Sequence, residues 1–478
     1  MTFKPYNQTQ GSLLPPNFEV FLGESHRAVV LSEFIDELDT EELVRSYNNQ
    51  NGGSSAYHPV MLLKILIYAY SNASFSSRKI AMKLREDIAF MFLAGNNKPD
   101  FRTISRFRHH KSGLIEDIFS QVVSKARKIG FVGFDTCSLD GTKIYANAST
   151  SRNHIEEQLK DKIHNLIQQA EEIDAIEDKL YGDNEDDIDP NLKTKEGRKK
   201  KKQQIKQKEN RVKEALNQIS ISKISKRSKS KPKRNITDPD SRLIKMKKSD
   251  FANGYNVQNI TENGFILSSY IDNSSADQNT LTPALKKLGS SLNVLPKTLL
   301  ADKGYSTSDN YSFCEDNDIN AYIPVHYEKT DNIDKYIYDK DKDTYTDKKG
   351  NIFFFKQHMR VKKGKPHTGR PKKDLNIQER HNLYRCCVYE HICDKTGIKK
   401  YLSIDKDWIR HCKKQKKKLS TPHGKKLYKQ RSPDVEGVFG NIKKNLKFTH
   451  FNLRGFNGVT TEWNLISLAH NIQKLITA

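Results

Sequence analysis

The 478-residue chain has no apolar run of about eighteen residues or more, which excludes an ordinary membrane-spanning helix. Its start lacks the charged-then-apolar pattern of a secretory signal. The six cysteines (137, 314, 386, 387, 393 and 412) follow no disulfide-like spacing, so a reducing cytoplasm is the expected setting. Apolar residues make up only 35% of the chain, few for one compact globule, so part of it should be exposed, extended or charged. Acidic residues are also scarce: 58 against 82 lysines and arginines, a net charge of +24 and a pI near 9.5. Such a field attracts polyanions. No helix pattern carries the Trp/Phe/Leu face of a membrane-surface segment, so nucleic acid is the expected partner and a membrane is not.

By length the chain holds about two to four domains. Residues 1–25 are a polar, Pro-containing tail, and from His26 to Phe131 the pattern is helical. Val30, Phe34, Ile35 and Leu38 share one face, and Pro59 opens the apolar helix VMLLKILIYAY. Two short helices follow, SSRKIAMKL and DFRTISRFR. In the second, Arg102, Arg106 and Arg108 beside Thr103 and Ser105 suit contacts to phosphates and base edges. Beyond residue 152 the composition changes. Leu159, Ile163, Leu166, Ala170, Ile173 and Leu180 form a heptad seam; a Lys-rich helix with Ile205, Val212, Leu216 and Ile219 follows an acidic linker. These predict an antiparallel helical hairpin projecting from the core and making protein or DNA contacts. Its Ser/Lys-rich exit is expected to be a loose linker.

Three acidic residues stand out by their settings: Asp140 in SLDGTKIYANAS, Asp302 in TLLADKGY and Glu436 in RSPDVEGVFGNIKK. On its own Asp140-Gly141 reads as a hairpin turn at a strand end. Downstream, GYNVQNI and FILSSYI flank an Asn263-Gly264 turn. A helix capped by Ser275 or Asp277, the strand KTLLA, a second helix and INAYIPV complete a βββαβαβ order once the helical hairpin is set aside. That is the strand order of a ribonuclease H-like core lacking one helix. The missing helix arrives with Glu436, after a charged, Tyr-rich, loop-like insertion (326–420) holding at most one strand pair. Within this insertion Arg370-Pro371 has the composition of a minor-groove hook. Cys386, Cys387, His391, Cys393 and Cys412 are a candidate zinc set of irregular spacing, against a reading as half-buried thiols.

Three carboxylates suit two-metal phosphodiester chemistry, which needs hard oxygen ligands a few ångströms apart. Asp140 and Asp302, ending neighbouring strands, should lie side by side, with Glu436 reaching them from the last helix. Asp135 and Asp434 should point away. Lys443 falls on nearly the same helix face as Glu436, and Arg431 and Lys443 are placed to grip scissile phosphates.

On HPVMLLKILIYAY with SSRKIA and DFRTISRFR, on LDGTKIYANAS and ADKGY, and on the group Tyr428, Arg431, Glu436 and Lys443, the chain resembles a DDE transposase of a bacterial insertion sequence. The spacing from Arg431 to Glu436 is one residue longer than in the better-known branch. The resemblance implies that Asp140, Asp302 and Glu436 form the catalytic, metal-binding triad. It implies two Mg²⁺ ions (Mn²⁺ able to substitute), the element's terminal inverted repeats and a target duplex as substrates, a homodimer in the synaptic complex and a nucleoid-associated setting. The implied plan is an α/β protein: a helical DNA-binding domain (1–125), a ribonuclease H-like mixed-sheet core (126–152, 237–325 and 421–478), a helical hairpin insertion (153–236) and a basic, Cys-containing insertion (326–420). Tyr428, Arg431, Lys443 and Arg370 join Arg102, Arg106 and Arg108 as expected DNA contacts. Two rivals remain: a non-catalytic DNA-binding regulator derived from a transposase, and an RNA-directed or repair nuclease on the same core.

Overall fold

Proline at a first helical turn forgoes an N–H that would go unpaired there anyway, and Pro59 starts a helix in this way. The computed structural model describes residues 17–47, 56–179, 190–221, 231–246, 250–325, 335–361, 384–393 and 397–477. Its first part is helical: α1 (Phe18–Leu22), α2 (Arg27–Asp36), α3 (Glu41–Arg45), α4 (Pro59–Ser71), α5 (Ser77–Glu86), α6 (Ile88–Leu93), α7 (Phe101–His110) and α8 (Ser112–Lys128). Along α4 almost every side chain is buried, because the helix is covered on several sides. Among the described residues no helix is long and apolar enough to cross a membrane.

The central sheet begins with β1 (Thr136–Tyr145). Next in the chain are β2 (Asn153–His154), α9 (Glu156–Lys179), α10 (Pro190–Lys193), α11 (Lys195–Ile221), β3 (Arg234–Asn235) and β4 (Arg242–Lys245). The sheet continues with β5 (Phe251–Glu262), β6 (Phe265–Asp272), α12 (Leu281–Leu292), β7 (Thr298–Ala301), α13 (Ser308–Asp316) and β8 (Asn320–Tyr322). β5 is the spine: one edge pairs antiparallel with β1, the other with β4 along its first part and β6 along its second. β1 pairs parallel with β7, and β7 with β8, as strand–helix–strand crossovers require. Glu262 fixes the start of β1 by accepting hydrogen bonds from the backbone N–H groups of Gly133, Phe134, Asp135 and Thr136.

The helical hairpin is α9 against α11. Leu159, Val212, Ala215 and Ile219 are buried together, with Ile163, Leu166 and Leu216 beside them. Its root is closed by the β2–β3 pair, Asn153 opposite Asn235. Leu180, the acidic linker 182–189 and residues 222–230 of the Ser/Lys-rich exit lie outside the described residues.

Within 326–420 the structure departs from the sequence reading. Instead of loop with one strand pair, it forms a five-stranded antiparallel sheet: β9 (Tyr336–Asp339), β10 (Thr344–Asp347), β11 (Ile352–Val361), β12 (Tyr384–Ile392) and β13 (Lys399–Asp405). Tyrosine explains the difference. Tyr345 and Tyr389 bury their rings with Phe353, Leu402 and Ile404, and the hydroxyls of Tyr338 and Tyr389 donate to Asp343 at 2.8 and 2.9 Å. A Tyr/Asp-rich stretch that looks soluble therefore builds a small core. None of the cysteines forms a disulfide. Cys386 and Cys387 are adjacent in β12 and so point to opposite faces, while His391 Nδ1 lies 2.9 Å from the Ile352 carbonyl oxygen. Among the described residues no cluster of His, Cys, Asp and Glu is placed to hold a metal. The Gly-Arg-Pro stretch, Arg370 included, lies outside the described residues.

The chain ends with α14 (Lys406–Ser420), α15 (Pro422–Lys429), α16 (Arg431–Gly440) and α17 (Gly455–Ile476). From Gly458 to Ile472, α17 is almost wholly buried, with the sheet on one side and α4 and α8 on the other. Trp463 Nε1 donates to Asn259 Oδ1 at 3.0 Å and Ser269 Oγ at 3.1 Å. One hydrophobic cluster thus runs from the N-terminal helices through α17 into the sheet. The N-terminal helices α2 to α8 share their core with the central sheet.

Arg108 corrects an expectation. It is 3% exposed, not a DNA contact: its guanidinium donates to Tyr70 Oη, the Phe75 carbonyl and Ser77 Oγ, and lies 3.5 Å from buried Glu462. Glu462 also accepts the N–H groups of Asn452 and Leu453. At helical spacing Arg102 and Arg106 stay on the exposed face, whereas Arg108 falls beside buried Phe107 and turns inward. Removing one partner of a buried pair strands the other, so Arg108→Ala should cost about 3–5 kcal/mol. Arg102→Ala and Arg106→Ala should stay within about 0.5 kcal/mol. Denaturant titration checks this; an Arg108→Ala protein of unchanged stability would contradict the assignment.

Candidate active site

The parallel register of β1 and β7 sets Leu139 beside Ala301, so the next residues, Asp140 and Asp302, emerge side by side. There the two strands part. β7 ends and Asp302 caps a 3₁₀ turn, accepting from its neighbour's N–H (Lys303) at 2.6 Å. β1 runs on to Tyr145, paired with β5. Asp140-Gly141 is therefore mid-strand, not a turn at a strand end.

Gly141 serves close approach instead of a turn. On the far side of the sheet from Asp140, a Cβ here would meet the Gln258 amide and stand 2.9 Å from Asp277 Oδ1. Gln258 crosses that space: it donates to Asp277 Oδ1 at 2.9 Å and accepts from the Tyr305 hydroxyl. Asn256 donates to the same Asp277 oxygen at 2.7 Å. Asp277 is thus no helix cap; Thr280 occupies that position. The network ties the turn after Asp302 to β5 across Gly141.

The face of β1 that carries Asp140 also presents Ser138 and Thr142, and α16 packs on it. Arg431 Nη1 stands 3.1 Å from Asp140 Oδ2 as an ion pair without hydrogen-bond alignment. The Asp140 carboxyl lies above its ordinary pKa because it is buried; Arg431 and the Gly141 N–H oppose the rise and Asp302 adds to it. Tyr428, on α15, holds its ring 6.0 Å from the Arg431 guanidinium carbon. Burial raises its hydroxyl, with Arg431 opposing and Asp302 and Asp140 contributing. Lys443 Nζ donates to Thr142 Oγ1 at 2.5 Å and to the Lys143 carbonyl at 3.1 Å.

Asp140, Asp302, Arg431 and Tyr428 are thus gathered, with Lys443 one strand step away. Glu436 is exposed on α16, and among the described residues no third carboxylate completes a metal-holding group with the two aspartates. A π turn at Asn441–Asn445 ends α16, so α-helical spacing does not carry from Glu436 to Lys443. Asp434 does not point away: it accepts from Ser138 Oγ at 3.1 Å, and burial raises its carboxyl. Asp135 pairs with Lys297 at 2.8 Å on the surface. Arg102 and Arg106 are exposed on α7. The sequence reading passed over Gln258, Tyr305 and the true role of Asp277; the signal was a glycine inside a strand pattern.

Two family models match the chain. One, described as Transposase domain (DUF772), covers residues 16–110, and one described as Transposase DDE domain covers residues 356–476. No curated protein and no solved structure matches.

Gly141→Ala should keep the fold yet displace Gln258, loosening the Asp302 turn. If the two aspartates serve the phosphodiester cleavage proposed below, that activity should fall about tenfold to a hundredfold from sub-ångström misplacement, with thermal stability nearly kept. Full activity in Gly141→Ala would show that the crossing does not matter.

Proposed function

We propose, on the premise of the two transposase-domain matches at either end of the chain, that the protein is a DDE transposase of an insertion element that cuts DNA at the element's terminal inverted repeats and joins the 3′ ends to target DNA. The observation that carries the reading is the pairing of Asp140 with Asp302 where β1 and β7 diverge. The order β6–β5–β1–β7–β8, with β5 and its hairpin partner β6 flanking three parallel strands, supports a ribonuclease H-like core.

The donor chemistry fits a hard divalent cation, since adjacent carboxylate oxygens at a strand divergence are its usual ligands. Asp140 and Asp302 would hold Mg²⁺, or Mn²⁺ in its place, with Glu436 supplied from α16 to complete a two-ion set. Such ions, when bound, activate water or a 3′-hydroxyl and steady the leaving oxygen. The protein's own groups do the rest. Arg431, now the counter-ion of Asp140, grips a scissile phosphate, and Tyr428 supports its guanidinium. Lys443 adds a point charge beside Thr142. Arg102 and Arg106 on α7 face duplex phosphates and base edges within the end-recognition region 76–108, and Arg370 enters a minor groove. Two copies pair the element's ends in a synaptic homodimer, in the cytoplasm at the nucleoid.

Asp140→Ala, Asp302→Ala and Glu436→Ala should each lower metal-dependent strand cleavage on the order of a thousandfold or more, with DNA binding kept. Asp135→Ala should behave as wild type. Cleavage and strand-transfer assays on end-bearing DNA with Mg²⁺ or Mn²⁺ decide it; near-wild-type activity of a folded Asp302→Ala protein would overturn the mechanism.

A further inference from the structure

At the root of the helical hairpin, α9, α11 and the segments around β2 and β3 enclose a cleft of about 450 Å³. Arg152, Lys162, Lys208 and Arg211 line it together with Asn165 and Gln169, and no lining residue is acidic. Two lysines elsewhere on the same helices are paired with acids: Lys160 with Glu156 at 2.7 Å, and Lys213 with Glu209 at 2.5 Å. Among the described residues none of the four cleft cations has an ion-pair partner. The Arg152 guanidinium donates to a neutral hydroxyl, Thr237 Oγ1, at 3.2 Å.

A fifth cation joins them. Arg454 donates through Nε to the Asn147 carbonyl at 3.0 Å, which fixes its guanidinium just past the end of β1. Its pKa is lowered by burial and further by Arg211 and Arg152, against an opposing Asp238. Like charges drawn together cost free energy, and a surface that only needed solvation would spread them. Their convergence is accounted for by a polyanion that completes the site.

We propose that this cleft binds the phosphodiester backbone of the DNA whose strand is cut at Asp140 and Asp302. The inference rests on that proposed cleavage. Placement supports DNA over other anions: Asn147 and Arg454 lie beyond Tyr145, and Asp140 to Tyr145 spans roughly 17 Å of strand. That is the length of about five phosphates along one strand of a duplex. The hairpin then extends the footprint away from the carboxylates, and the DNA backbone supplies the negative charge that the cleft lacks.

The test uses the full-length protein and a fluorescein-labelled linear duplex of random sequence, in EDTA, at several salt concentrations. Lys208→Gln/Arg211→Gln removes two exposed cations, and Lys160→Gln/Lys213→Gln removes two ion-paired ones as control. For the cleft variant the log–log salt slope should fall by about 1.8 and affinity at moderate salt by about tenfold, while the control keeps both. Equal slopes for the two variants, or a cleft variant that binds as wild type, would overturn the proposal. So would intact DNA binding with lost self-association in light scattering, which would make the cleft a protein interface. Metal-dependent nicking of supercoiled plasmid, measured separately at saturating protein, reports on the carboxylates. A changed slope beside a wild-type protein that never nicks would keep the DNA site and discard its link to cleavage.

Discussion

Two carboxylates held side by side repel each other, and the structure keeps Asp140 and Asp302 together through backbone register. The parallel pairing of Leu139 with Ala301 brings the residue after each out side by side, where β7 ends and β1 runs on. Arg431 offsets part of the repulsion from above, and local N–H groups steady each carboxylate. On the opposite face, the crossing of Gln258 over Gly141 holds the turn after Asp302 against β5. The two carboxylates are therefore held in place from both sides of one sheet, the arrangement that the proposed chemistry would need.

The sheet depends in turn on α17. That helix is buried between the sheet and the N-terminal helices, and polar groups in its core are satisfied: Trp463 on Asn259 and Ser269, Glu462 on Arg108, Tyr70 and two backbone N–H groups. The segment that carries Arg431 and Glu436 thus lies between elements anchored in one continuous core. Exposed Arg102 and Arg106 stand on a helix of that same body, so DNA held there would be positioned relative to the carboxylates without a flexible joint.

Much of this was legible in the sequence. Local patterns placed Asp140 and Asp302 on neighbouring strands, the heptad spacing gave the helical hairpin, and Pro59 marked its helix. What escaped depended on distant partners. Arg108 looked like its neighbours Arg102 and Arg106 until Tyr70 and Glu462 were placed beside it. The β9–β13 sheet was hidden because tyrosines, not aliphatic residues, fill its core around Asp343. Gly141 read as a turn because its real reason, an amide crossing from β5, sits more than a hundred residues away. The relation of Glu436 to Lys443 is not set by helical spacing, since a π turn interrupts it.

The central claim is that Asp140 and Asp302 jointly hold a divalent cation. Anomalous scattering from crystals of the full-length protein soaked in Mn²⁺ tests it most directly. The account predicts a manganese peak at the carboxylates of Asp140 and Asp302, absent from crystals of Asp302→Ala. A peak elsewhere with none at these residues, or one that survives Asp302→Ala unchanged, would contradict it.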